Sequence, residues 1–227
     1  MGGGVDLTRV LVDGVDKDVF EYFIGIYLNE LFWLLTSIKS KCDRLFSMAQ
    51  VPEKGFVIQV DLEVHSLIKS IVDDSTQVAN LIQPHERRKD EPAEKYAYRK
   101  HRGEYLANLF RNITISEMLD HKLRDSIEHF DERLDRLAHT TSQKIQKKGQ
   151  ILAHNMVFSD RAVFQPFPLP IRVFVSSERK FYNMNWFLDI GRIYSECCSM
   201  LNVLKENENL KKSKEPGGML IVIPQLK

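Results

Sequence analysis

Residues 15–46 read VDKDVFEYFIGIYLNELFWLLTSIKSKCDRLF. Phe20, Phe23, Ile24, Tyr27, Leu31, Leu34, Leu35 and Ile38 recur at three- and four-residue spacing, the period of one helix face. Tyr22, Ile26 and Trp33 form a second apolar set on another face. A helix that is apolar on two sides belongs at the centre of a bundle, or between a core and a subunit interface. Its most apolar window, Val19 to Ile38, also holds Glu21, Asn29 and Glu30. Charges that deep are costly in a bilayer, so the reading is a buried helix of a soluble protein and no membrane partner.

Outward from this helix the same period dominates. Val51-Pro52-Glu53-Lys54-Gly55 is a breaker. Ile58, Val60, Leu62 and Val64 alternate as a strand does. Val64, Leu67, Ile68, Ile71, Val78 and Ile82 keep helical spacing for longer, so Phe56 to Ile82 reads mainly as helix. Pro84 to Ala93 (PHERRKDEPA) reads as a solvated, proline-bounded loop or mobile connection, and Lys95 to Phe110 as a third helix. Thr114-Ile115-Ser116-Glu117 has the spacing of a capping box. The helix it opens carries Ile115, Leu119, Leu123, Ile127, Phe130, Leu134 and Leu137 on one stripe and ends near His139.

Composition turns towards β between about Asn155 and Asn185. Ala162 to Gln165 and Ile171 to Val175 suit strands, Ser176 to Arg179 a turn, and Phe181 to Met184 a return strand. Pro166, Pro168 and Pro170 confine these to short or edge strands. Trp186 to Leu204 then reads as a final helix. The expected fold class is therefore all-α: a helical bundle over residues 1–209 with a small β-hairpin or meander at about 155–185 before the last helix. Residues 210–227 are expected to be a solvated linker and a short apolar tail.

The chain has 227 residues with 32 Lys and Arg against 31 Asp and Glu. A net charge of +1 excludes a strongly basic nucleic-acid coat protein and an acidic disordered tail. Cys42, Cys197 and Cys198 cannot form a closed disulfide set and no CxxC occurs, which suits a reducing, cytoplasmic compartment without structural zinc. Met1-Gly2-Gly3-Gly4 lacks the basic and apolar regions of a secretory signal, and none is expected.

The segment with chemical content lies on the capped helix: Arg124-Asp125-Ser126-Ile127-Glu128-His129, continuing through EHFDERLD. At about 100° per residue, Asp125 and His129 stack one turn apart, and a carboxylate at that spacing can orient an imidazole for proton transfer. Arg124 lies about 140° round the helix from His129, so one helix alone does not make a compact site of the pair. Arg, a polar residue, then His five positions after the Arg resembles the signature of HEPN domains, over about Tyr96 to Leu204. The resemblance implies a homodimer in which two motifs face each other. It also implies metal-independent RNA cleavage with no cofactor, in a defence or toxin–antitoxin setting with an antitoxin-type protein partner. Arg124, Asp125 and His129 would be catalytic, and Lys122, Arg133 and Arg136 would bind substrate.

Two other readings fit the same residues. Glu117 to Arg136 holds seven acids against four bases, a poor field for RNA, which leaves a non-catalytic module binding RNA, a nucleotide or a protein. Arg124–Glu128 and Asp125–His129 pairs are also ordinary surface-helix ladders of a purely structural protein. Of the remaining histidines none has metal-ligand spacing, and His65 reads as a satisfied packing residue. Phe164, Phe167, Phe174 and Phe181 read as the packing surface of the β element.

Overall fold

A computed structural model describes residues 11–12, 15–120, 125, 127–144 and 151–207. A two-residue antiparallel pair, β1 (Leu11–Val12) and β2 (Val15–Asp16), leads into helix α1, Lys17–Met48. Helix α2 spans Leu62–Ile82 and α3 Ala93–Leu109. The helix that directly follows the Arg124–His129 motif, the motif helix, runs Phe130–Lys144, and the closing helix Ile190–Glu206.

The long apolar stretch forms the helix expected of it. Leu28, Leu31, Leu34, Leu35, Ile38, Cys42 and Leu45 are all buried, and α1 packs on α2 along one side and on the closing helix along another. Each fully buried leucine of this stripe contributes about 1.5–3 kcal/mol through transfer from water. The second apolar set behaves differently, since Ile26 and Trp33 are exposed. Two buried thiols complete the contact with the closing helix. Burial pushes the Cys42 thiol up to about 12, and it also raises that of Cys197, whose Sγ donates to the Leu35 carbonyl at 2.9 Å.

The all-α expectation fails on the sheet. β3 (Ile58–Gln59), β4 (Leu152–Phe158), β5 (Leu169–Val175), β6 (Lys180–Asn183) and β7 (Trp186–Asp189) form a five-stranded mixed sheet in that order. β4 and β5 run parallel, and the other pairings are antiparallel. The physical reason is burial on both faces. Val157, Phe174, Phe181 and Leu188 join the helical core, while Ala153, Phe158, Val173, Val175 and Tyr182 form a second core. The latter is covered by the β4–β5 connection through Val163, Phe164 and Phe167. A strand buried on both faces loses the alternation that marks a strand in sequence. Pro170 does not make an edge strand either: it pairs with Ala153 near the start of β5, which is central. Ala162 lies in a short 3-10 turn, Arg161–Val163, and Trp186 to Asp189 is strand where helix was expected. The aromatics pack as read, with Phe158 against Phe164 and Phe167.

The strand-like alternation after the breaker resolves into a short edge. Only Ile58 and Gln59 pair with β4, and α2 begins at Leu62, where the Asp61 side chain accepts from the N–H groups of Glu63 and Val64. Residues 208–227, including the expected linker and tail, lie outside the described residues. Among the described residues no helix is long and apolar enough to cross a membrane.

Candidate functional site

The turn that leads to the motif helix is held from a distance. Thr114 does not cap a helix at Ser116–Glu117, because residues 114–120 are irregular. The buried carboxylate of Glu196, on the closing helix, accepts from the N–H groups of Ser116, Glu117 and Met118 at 2.9–3.0 Å and from Ser116 Oγ at 3.1 Å. Glu117 does not reach back to Thr114: its carboxylate accepts from the Asp189 N–H at 2.7 Å. The capping-box residues are thus used to tie this turn to the closing helix.

Beyond the turn, the residues of the motif divide. Lys122 and Arg124 lie outside the described residues. Asp125 and His129 are exposed. The His129 N–H bonds to the Asp125 carbonyl and the Arg133 N–H to the His129 carbonyl, each at 3.1 Å, so the three are stacked one turn apart. Arg136 follows two turns after His129, within about 20° of it. His129 stands just before the helix, and ideal helix geometry places it near the face that carries Arg133 and Arg136. His129 Nδ1 faces Glu132 Oε1 at 3.9 Å with both side chains well exposed, a pairing that contributes little.

The motif helix is anchored to the sheet by two cation–π contacts. The Arg133 guanidinium lies 4.3 Å from the Trp186 ring centre, and that of Arg172, on β5, lies 3.9 Å from the Phe130 ring centre. Arg133, Arg136, Leu137, Thr140, Met184, Asn185 and Trp186 enclose a cavity of about 150 Å³. One wall is the β6–β7 turn, where Met184 sits at φ 56°. A bulky residue in the left-handed region costs about 1–3 kcal/mol, and such strain gathers at working sites. Met184 is held there by its N–H bond to the Pro170 carbonyl at 2.6 Å.

Asn155 (φ 52°) and Arg172 (φ 57°) are left-handed at the same level of the parallel pair, between the matched positions His154/Ile171 and Met156/Val173. The paired kink directs Arg172 towards Phe130, and burial lowers the Arg172 pKa. Arg172→Ala is expected to free the start of the motif helix at a cost of about 1–2 kcal/mol, the worth of a desolvated cation–π contact. Hydrogen exchange of residues 130–140 measures this; protection equal to wild type would contradict it.

His65 sits under the same kink. Its ring packs edge-on to Phe181 at 6.2 Å, with the Asn155 backbone as its polar neighbour. Burial lowers its pKa, against the pull of the Asn155 backbone and with further lowering from Arg172. A depressed histidine pKa means that the unfolded chain binds the proton more readily. This contribution to stability is complete above about pH 6.5 and is lost as pH falls towards the folded value. Urea midpoints should therefore drop on acidification, and His65→Gln should flatten that slope; an unchanged slope would contradict the assignment.

Trp186, Met184, Arg172 and Glu196 carried no sequence signal of a site, since each acts through a contact with a distant element. No family model matches the chain, and neither a curated protein nor a solved structure matches it.

Proposed function

We propose that the protein acts on RNA through the exposed face of the motif helix, as a metal-independent endoribonuclease. The observation that carries this reading is His129 one turn before Arg133, which with Arg136 lines the Trp186 cavity. An imidazole next to guanidinium groups is the set that phosphodiester transesterification needs. In the proposed step His129 takes the proton of a ribose 2′-OH, and O2′ forms a bond to the adjacent phosphorus. The bond from phosphorus to the 5′ oxygen breaks, and that oxygen receives the proton back from His129. The products are a 2′,3′-cyclic phosphate and a 5′-OH end. Arg133 and Arg136 supply positive charge to the phosphate, which guanidinium groups match bidentately. The R-D-x3-H spacing supports a role for Arg124 and Asp125 in the same step, and a homodimer in which two such faces meet.

A second reading has its own observation. Asp125, Glu128, Asp131, Glu132 and Asp135 are all exposed around this face, a field that weakens RNA binding and favours a module that binds without cutting. Incubation with single-stranded RNA in EDTA separates the two. Cleavage by wild type and not by His129→Ala supports the nuclease. Binding weakened by Arg133→Ala with no cleavage supports the module, and binding by neither protein contradicts both.

A further inference from the structure

The α2–α3 connection, expected to be a solvated or mobile loop, is exposed over residues 85–90 and is fixed at both ends. Pro84 lies directly against Gly103 of α3, where an added Cβ would stand 2.4 Å from Pro84 Cδ, so only glycine admits this approach. Arg99 then fixes both ends of the loop. Its Nη1 donates to the His85 carbonyl at 3.0 Å, and its Nε and Nη2 grip the Glu91 carboxylate at 2.9 and 2.6 Å. That guanidinium holds the Glu91 carboxyl below the usual carboxylate range. Arg87 Nε adds a bond to the Glu91 carbonyl at 3.0 Å.

Loop and helix enclose a cleft of about 630 Å³, the size of a small-molecule site. Arg88, Lys95, Arg99 and Arg102 line it against only Asp90 and Glu91, and Arg99 and Glu91 already neutralise each other. Arg102 is held by its neighbours. Its guanidinium lies 5.4 Å from the Tyr27 ring centre, its Nη2 donates to the Asn80 carbonyl, and its buried Nε has no partner. Asn80 also lines the cleft, with its Oδ1 closed off from the accessible surface. The first turn of α3 borders the cleft at Pro92 and Lys95, and no side chain caps it. An uncapped helix start favours an anion.

We propose that this cleft binds a nucleoside phosphate. The cationic side chains and the α3 start call for a phosphate. The cleft of about 630 Å³ is far larger than a bare phosphate fills and has room for the rest of a nucleotide. The site shares no residue with the motif-helix face, so it stands apart from the reading above. Its source is a free nucleotide or the phosphorylated end of an RNA.

Calorimetric titration of the full chain with ADP, adenosine and a 5′-phosphorylated RNA hexamer tests it. ADP is expected to bind saturably and adenosine at least about tenfold more weakly, the worth of about 1.4 kcal/mol of phosphate contacts. The double variant Arg88→Ala/Lys95→Ala, made at exposed positions that leave the core intact, should lose at least about tenfold in ADP affinity. His129→Ala should leave it unchanged. Competition by the phosphorylated hexamer assigns the site to RNA ends, and its absence assigns it to the free nucleotide. ADP binding no tighter than adenosine, or unaffected by the double variant, overturns the proposal.

Discussion

Glu196→Ala is expected to lower stability by about 3–5 kcal/mol, the cost of leaving the partners of a buried charge without it. The side chain is only 5% exposed, and its two oxygens serve three backbone N–H groups, the Ser116 hydroxyl and Arg192 Nε at 3.3 Å. Alanine removes every acceptor at once, and the N–H groups of Ser116, Glu117 and Met118 have no other described bond to replace it. Glu196→Gln keeps the shape but loses the charge and presents an amide donor to donors. It should cost less, about 1–3 kcal/mol. Thermal melting should show the alanine variant lowered by roughly 10 °C. Glu117 beside it has its pKa raised by burial, with the Asp189 N–H pulling the other way, so one carboxylate of the turn is strained while Glu196 carries the load. A Glu196→Ala protein melting with wild type would remove the anchor that positions the motif helix.

His129→Ala should reduce RNA cleavage by about 10²–10⁴-fold, the contribution of a positioned proton-transfer group. The side chain is exposed and, among the described residues, holds only the loose contact to Glu132, so the variant should melt as wild type does. That separation distinguishes a catalytic group from a structural one. Arg133→Ala tests the same face differently. It loses both phosphate charge and the Trp186 contact, so its loss of RNA affinity should be accompanied by a small drop in stability. Activity and binding assays beside melting curves check both variants. Unchanged cleavage by His129→Ala would end its role.

How much of this was legible in sequence followed from how local each signal was. The α1 stripe from Phe20 to Ile38 was readable because helical burial repeats within one segment. β4 was not: LAHNMVF has His154 and Asn155 at its centre, and its pairing with β5 bridges a ten-residue connection. β7 was hidden because Phe187, Ile190 and Tyr194 keep helical spacing across a strand–helix junction. The true helix start is Asp189, whose side chain accepts from the Arg192 N–H at 2.8 Å. The capping box failed for a related reason. The backbone donors of Ser116 and Glu117 are satisfied, but by Glu196, eighty positions from Ser116. Of the candidate site, the stacking of Asp125, His129 and Arg133 needed only helix geometry. The Trp186 cavity and the Arg172 kink depend on strand pairings that composition does not encode.

The central claim, that this helix face cleaves RNA by 2′-OH attack, is tested most directly on an RNA carrying a single 2′-deoxy substitution. Wild-type protein in EDTA is predicted to cut the all-ribose strand, leaving a 2′,3′-cyclic phosphate and a 5′-OH, and to spare the substituted linkage. Cleavage at the deoxy linkage, or products with 5′-phosphate ends, would contradict it.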